Sequence, residues 1–327
     1  MNYDYNTTLT YENLYVSALK CSKNVKWKRT TAYFLLNQLE ETYKLKEQLL
    51  NGTYKERKHK VFKVYEPKER EVLSIAFRDR VYQRLLNDLL IYPIMTKSFI
   101  YDNCACQKGK GTDFARNRIK HHLRRYYAEN KSNQGYFVHI DIKKFYPTID
   151  HKVAESLFER KLPHDTYIKV LDILKGYDNY KGYYAGSQLI QILGVSILDT
   201  IDHYIKEILK VKHYVRYMDD LLLIVKDRPN YYIRKVESKI KELKFELNDE
   251  KTTITKLCKG ENFLGFIFLL NEKGKVYQCL STKNIKRARR KNKTRDRQSF
   301  ETWYSYAIKS TSQKRIREVK RDYESRN

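Results

Sequence analysis

The stretch HYVRYMDDLLLIVKD, His213–Asp227, sets two adjacent aspartates, Asp219 and Asp220, between two apolar runs that read as strands. Neighbouring carboxylates repel, and burying either one is costly unless a cation meets it. Two readings compete. In one, the pair lies in an exposed turn, where aspartate is common. In the other, it holds metal ions. Strand on both flanks weighs against a loose turn. So does a second strand upstream, GYFVHIDIKKFYPTI (135–149), which ends in charge at Asp141. If the hairpin pairs beside that strand, three carboxylates meet on one sheet edge. They are the hard oxygen ligands that two Mg²⁺ ions roughly 3.5–4 Å apart require.

The bulk composition fits that reading. A chain of 327 residues suggests two or three structural units, and 41% hydrophobic residues suffice for packed cores. Its 66 Lys+Arg against 39 Asp+Glu leave a net charge of +27, spread along the chain. Such a protein attracts polyanions, and nucleic acid is the commonest large one. An anionic membrane is the rival, but no apolar stretch approaches spanning length and no leader pattern opens the chain. No membrane partner is therefore expected. Tyrosine is abundant, at 29 residues; mixed with lysine and arginine it suits bases and phosphates, although tyrosine also fills cores. The cysteines (Cys21, Cys104, Cys106, Cys258, Cys279) form no CxxC pair and no zinc spacing. Such a scattered set is expected of a reducing cytoplasm.

Along the chain, apolar periodicity predicts helix over residues 10–52, stopped by Asn51-Gly52. KHKVFKVYEPKEREVLSIAF reads as a hairpin with Pro67 at its turn. DRVYQRLLNDLLIYPI reads as helix up to Pro93, and QKGKGTDFARNR opens a basic helix with Thr112 as N-cap. A strand is expected over 135–142, helix over 150–175, and a long apolar helix over about 187–209. Two strands flank the aspartates, a helix follows, and NDEKTTITKL and NFLGFIFLLN read as strands. The tail from Thr282 is helical and very basic, with nine Lys/Arg between 283 and 297. The whole describes an α+β protein, an antiparallel sheet backed by helices.

YMDD at 217–220 and DIKKFYPTID from Asp141 resemble the signature motifs of reverse transcriptases. Further pieces follow in the family's order, from about residue 55 to 325. The resemblance implies a right-hand polymerase, with N-terminal helices and fingers at 1–134, a palm at 135–270 and a short basic thumb at 271–327. It implies copying of RNA into cDNA from dNTPs with two Mg²⁺ ions, Mn²⁺ being an alternative. Asp141, Asp219, Asp220 and the Ile142 carbonyl would be the metal ligands. Lys251, in LNDEKTTI, would be a general acid or charge partner at the pyrophosphate. Tyr146 occupies the position of an aromatic that excludes a ribose 2′-hydroxyl. Lys68 and Arg70, in EPKER, would grip the triphosphate. Gly186 and Gln191, in AGSQLIQ, keep the spacing of the second palm motif. Lys108 and Lys110 lie in a glycine-rich loop that faces the template in similar enzymes; it lacks the P-loop pattern. Phe263 and Gly265, in NFLGF, resemble the primer grip. Lys286, Arg287 and Arg290 would lie on the duplex backbone, while Trp303, Tyr304 and Tyr306 form the thumb's small core.

Within the family, the stretch as given leaves no room for an RNase H domain, and the retron Asn-Ala-x-x-His element is absent. Two bacterial groups fit: the defence-associated "unknown group" enzymes and those of diversity-generating retroelements. In the latter the second palm motif usually ends Ser-Gln; here it ends Ile190-Gln191, which favours the defence group. Both imply a dedicated structured non-coding RNA as partner and template, and leave a partner protein or homo-oligomer open. A catalytically silent RNA-binding scaffold and an RNA-dependent RNA polymerase are the alternatives from other classes. Retention of mutually repelling carboxylates weighs against the first, and Tyr146 against the second.

Overall fold

Short runs of apolar and β-branched residues separated by turns build nine strands in three antiparallel sheets among the described residues. A computed structural model describes residues 4–65, 69–177, 182–184, 186–292 and 296–325. The chain divides into two units. The first takes residues 1–100, 142–202 and 239–246, and the second takes 101–141, 203–238 and 247–327.

The first unit is helical apart from one hairpin, β1 (Lys60–Val64) paired with β2 (Arg70–Ser74). The expected turn residue Pro67 lies outside the described residues. Where one helix is expected over 10–52, three form: Tyr11–Ser22, Arg29–Leu36 and Gln38–Leu50. The breaks follow local chemistry. Between the first two helices Asn24 adopts a left-handed φ of 65°, and Asn37 leaves helical geometry at φ −108°, ψ 30°. Asn51 caps the third helix as expected, with Gly52 at φ 67° beyond it.

Proline is read too strictly at Pro93. The helix Phe77–Leu86 continues through a wide turn, Asn87–Ile91, into Tyr92–Met95. Pro93 occupies the first turn of that last segment, where a missing N–H costs little. Pro163 does break the expected helix at 150–175, leaving His151–Lys161 and His164–Lys175. The apolar stretch 187–209 divides into Gln188–Ile197, Asp199–His203 and Tyr204–Ile208.

The second unit holds a four-stranded sheet of order β4-β5-β3-β6. Its strands are β3 (Tyr136–Asp141), β4 (His213–Tyr217), β5 (Asp220–Val225) and β6 (Thr253–Lys256). A second sheet joins β7 (Glu261–Phe263), β8 (Phe266–Leu270) and β9 (Val276–Leu280). NFLGFIFLLN is thus a hairpin rather than one strand, reversing at Leu264-Gly265 with both residues at positive φ. β9 was not expected from sequence; VYQCL is short, and its register along β8 supplies the pairing. The helix Thr112–Asn130 packs on β4, with Gly111 rather than Thr112 as its N-cap. Three helices close the unit, Thr282–Asn292, Arg297–Ala307 and Gln313–Glu324.

One apolar core unites these elements. Phe137, Val215, Leu222 and Ile224 come from the first sheet, and Phe263, Phe266, Phe268 and Leu280 from the second. Ile285, Ala307, Ile316 and Val319 come from the closing helices. Trp303, Tyr304 and Tyr306 pack against this shared core rather than forming a small one of their own. Truncating Phe137, which has no exposed surface, to alanine should cost about 4 kcal/mol. The exposed Lys286→Ala should stay within about 0.5 kcal/mol. Denaturant unfolding of the two variants beside the parent protein measures the difference.

Candidate active site

Asp141 closes β3 and Asp220 opens β5, and the antiparallel register sets them directly opposite each other. Asp219 precedes Asp220 in the turn, beside Met218 at φ 57°. Beneath the turn lies Arg216, a side chain with no exposed surface. Its Nη1 donates to the Met218 carbonyl at 2.9 Å, and its backbone bonds Asp102 and Cys104. The strand register and this buried brace gather the three carboxylates at one end of the sheet's two central strands.

Cations already answer two of them. Lys251 Nζ donates to Asp141 Oδ1 and Oδ2 at 2.8 and 2.6 Å. Asn248 Nδ2 donates to Asp141 Oδ2 at 3.0 Å, and the Asn248 backbone N–H to the Asp141 carbonyl at 2.8 Å. His139, two residues before Asp141 and so on the same strand face, sets Nε2 3.4 Å from Asp220 Oδ1. Its Nδ1 lies 3.2 Å from Glu261 Oε1. Thr255 Oγ1 donates to the other Glu261 oxygen at 2.6 Å, and the Phe263 ring stands edge-on to the imidazole.

The charges record this crowding. Burial pushes the Asp219 carboxyl up, and the Asp220 and Asp141 charges add to it, to about 6. Burial alone would lower His139, but its bonds to Asp220 and Glu261 prevail and carry it up to about 9. Lys251 is likewise raised: burial works against it, and Asp141 more than compensates. It is therefore held as a cation at neutral pH.

This donor set suits a divalent hard cation: three carboxylates close together, one of them, Asp219, made harder to ionise by burial and by its neighbours' charge. Among the described residues, no three His, Cys, Asp or Glu side chains close to metal-ligating distance. Lys251 and Asn248 hold Asp141, while His139 holds Asp220.

The other sequence candidates fall as follows. Lys286, Arg287 and Arg290 are exposed on the helix Thr282–Asn292; residues 293–295 of the same basic run lie outside the described residues. Lys108 is exposed. Lys110 Nζ is turned inward onto the Tyr101 and Asn103 carbonyls at 2.8 and 2.9 Å, so it ties down its own loop. Phe263 corrects the expectation of a nucleic-acid contact: its ring is 1% exposed and belongs to the core. Gly265, at φ 80°, supplies the turn beside it, with the Tyr306 hydroxyl filling the space a Cβ would need.

Arg70, Ile142, Tyr146, Gly186 and Gln191 belong to the first unit. Arg70 is exposed at the start of β2, and Lys68 lies outside the described residues. Ile142 is buried and Tyr146 half-buried. Gly186, at φ 135°, backs onto the Leu73 carbonyl, where a side chain would collide. Ser187 caps the helix Gln188–Ile197 and donates to Gln83 Oε1 at 2.8 Å. Gln191 is exposed between buried Ile190 and Ile192.

His139, Asn248, Glu261 and Arg216 escaped the sequence reading. For His139 a signal existed, since it alternates with Asp141 along one strand. Glu261 and Asn248 reach the site only through tertiary pairing.

A carboxylate pair at a β-hairpin turn, beside a third at the end of the neighbouring strand, belongs to a right-hand polymerase fold of the nucleotidyltransferase class. The sequence model described as "Reverse transcriptase (RNA-dependent DNA polymerase)" matches residues 58–268, more than half of the chain. The chain belongs to this family. No curated protein sequence matches it.

Among solved structures, apo telomerase from Candida tropicalis truncated from its C-terminal domain is similar at TM-score 0.50 and 13% identity. The match covers 67% of this chain and 54% of that one. Telomerase from Candida albicans in complex with a TWJ fragment of telomeric RNA is similar at TM-score 0.52 and 9% identity. That match covers 89% and 61% of the two chains. The chain therefore spans between half and two thirds of the length of these proteins, and at such identities the likeness is one of fold.

His139 has a higher pKa folded than unfolded. Its pairing therefore stabilises fully below about pH 6.5 and is lost as pH rises through about 9, a loss of roughly 3 kcal/mol. Melting in EDTA from pH 6 to 10 should show a falling Tm, and His139→Gln should flatten that fall.

Proposed function

We propose that this protein copies RNA into DNA by two-metal nucleotidyl transfer. The observation that carries the reading is the register of Asp141 against Asp220, with Asp219 adjoining in a braced turn. Asp141, Asp219, Asp220 and the Ile142 carbonyl would hold two Mg²⁺ ions, or Mn²⁺ in their place. When bound, such ions lower the pKa of a primer 3′-hydroxyl and neutralise the departing pyrophosphate.

The protein's own groups do the rest. Lys251 is held protonated against Asp141, which suits a charge partner for phosphate better than a proton donor. His139, clamped by Glu261, holds Asp220 in place. Lys68, Arg70, Gly186 and Gln191 would take the incoming dNTP, and Tyr146 would exclude a 2′-hydroxyl. Exposed Lys286, Arg287 and Arg290 would meet the backbone of a duplex, where each phosphate contact adds salt-sensitive affinity. In this reading residues 1–134 are N-terminal helices and fingers, 135–270 palm and 271–327 thumb.

The biological role proposed is bacterial anti-phage defence, with a dedicated structured non-coding RNA as template. Ile190 before Gln191 supports the defence group over the diversity-generating retroelements. A cytoplasmic setting agrees with five free cysteines and with the absence, among the described residues, of a helix long and apolar enough to cross a membrane.

Purification from cells carrying the native flanking DNA tests the reading. The wild type should bring down one RNA together with complementary DNA. Asp219→Asn should retain the RNA and lose the DNA. Equal RNA and no DNA in both preparations would instead favour the silent scaffold.

A further inference from the structure

The helices Arg29–Leu36 and Gln38–Leu50 present large apolar side chains to solvent. Leu36 is 86% exposed, Leu39 68%, Tyr43 58% and Leu50 52%. Their successive spacings of three, four and seven keep them on one helical face. The break at Asn37 does not interrupt that face. Asn37 N–H donates to the Tyr33 carbonyl at 3.2 Å, and Glu41 N–H to the Asn37 carbonyl at 2.9 Å. The hydrogen-bond ladder thus carries from one helix into the next, and Tyr33, 61% exposed, extends the stripe by a turn. The same two helices already bury Phe34, Thr42, Leu45 and Leu49 inside the protein. The exposed stripe is therefore a second apolar face, additional to the one that folds the unit.

Its size is that of an interface. A residue of this kind offers about 200 Å², so the five leave on the order of 600 Å² in solvent. That is at the upper end of the largest apolar patch on a typical monomer, about 300–600 Å². With its polar border it approaches the roughly 800 Å² that each partner gives to a standard interface.

Charge selects the occupant. Between Leu36 and Leu50 lie three glutamates, Glu40, Glu41 and Glu47, against two lysines, Lys44 and Lys46, in a chain of net charge +27. RNA or an anionic membrane is a poor fit to such a face. A second copy fits. At 3.6 residues per turn, Glu40 and Glu47 border the stripe on one side and Lys46 on the other. Glu40 is already paired with Lys44, which leaves Glu47 as the acidic partner. A twofold axis along the stripe sets Glu47 of one copy against Lys46 of the other.

We propose that the stripe Tyr33–Leu36–Leu39–Tyr43–Leu50 is the interface of a homodimer. Each copy covers the other's apolar face, with Glu47 and Lys46 crossing at the border. The dimer requires nothing of the polymerase chemistry proposed above.

Light scattering on the nuclease-treated protein in high salt tests the proposal. The mass should be twice the chain's 39.5 kDa. Salt should not dissolve the dimer, since it screens the repulsion between two basic chains. Leu39→Glu puts a charge in the seam and should raise the dimer Kd at least about a hundredfold, with the far-ultraviolet circular dichroism unchanged. Leu36→Ser, at the most exposed position, repeats the test should Leu39→Glu fail to fold. Lys46→Glu should raise the Kd about tenfold, and adding Glu47→Lys should restore it. A monomeric parent protein would overturn the proposal. So would a dimer that Leu39→Glu and Leu36→Ser leave intact, which lies on another surface, or one that nuclease dissolves, which RNA bridges. A double variant no tighter than Lys46→Glu would sink the twofold arrangement. Stripe-dependent capture of a different protein by an otherwise monomeric chain would assign the face to that protein instead.

Discussion

Repulsion among Asp141, Asp219 and Asp220 is the constraint around which the second unit is built. Asp219 carries the cost: burial first, and then the Asp220 and Asp141 charges beside it, make its carboxyl harder to ionise. The protein tolerates the arrangement by supplying fixed cations to two of the three. Lys251 grips Asp141 through both oxygens, and His139, itself clamped by Glu261, faces Asp220. The remaining unbalanced charge suits a divalent ion.

Holding such a group together requires a rigid frame, and the frame is largely apolar. β3 and β5 run through a core that also takes in the second sheet and the closing helices. Displacement of any of these would disturb the register that sets Asp141 against Asp220. The buried Arg216 adds a polar brace where the chain must turn with Met218 at positive φ. Strain, charge and packing thus concentrate at one hairpin, as expected where structure is arranged for chemistry rather than for stability. The first unit uses close packing in a comparable way. Gly186 admits the Leu73 carbonyl, and Gly194 admits an aromatic ring.

The elements read best from sequence were those whose pattern is local. Apolar runs ending in charge gave β3, β4 and β5, alternation gave the β1–β2 hairpin, and Asn51-Gly52 ended a helix as expected. The failures were also local in origin. Pro93 passes into a helix because it falls in a first turn, and Asn37 breaks a run whose apolar spacing stays continuous. β9 is too short to declare itself without β8 beside it.

For the site, the sequence by itself determined the chemistry: three aspartates, two of them adjacent, each at the end of an apolar strand. Residue type and strand position are properties of the chain alone, so they are legible there. Tertiary structure decided which groups meet those carboxylates. Lys251 lies 110 positions from Asp141, and Glu261 lies 122 from His139; the β3–β6 pairing brings the first pair together, and contact between strands of two different sheets the second. It also decided that Phe263 turns inward while Lys286, Arg287 and Arg290 stay in solvent. A side chain's exposure depends on what packs over it, and no stretch of sequence carries that information locally.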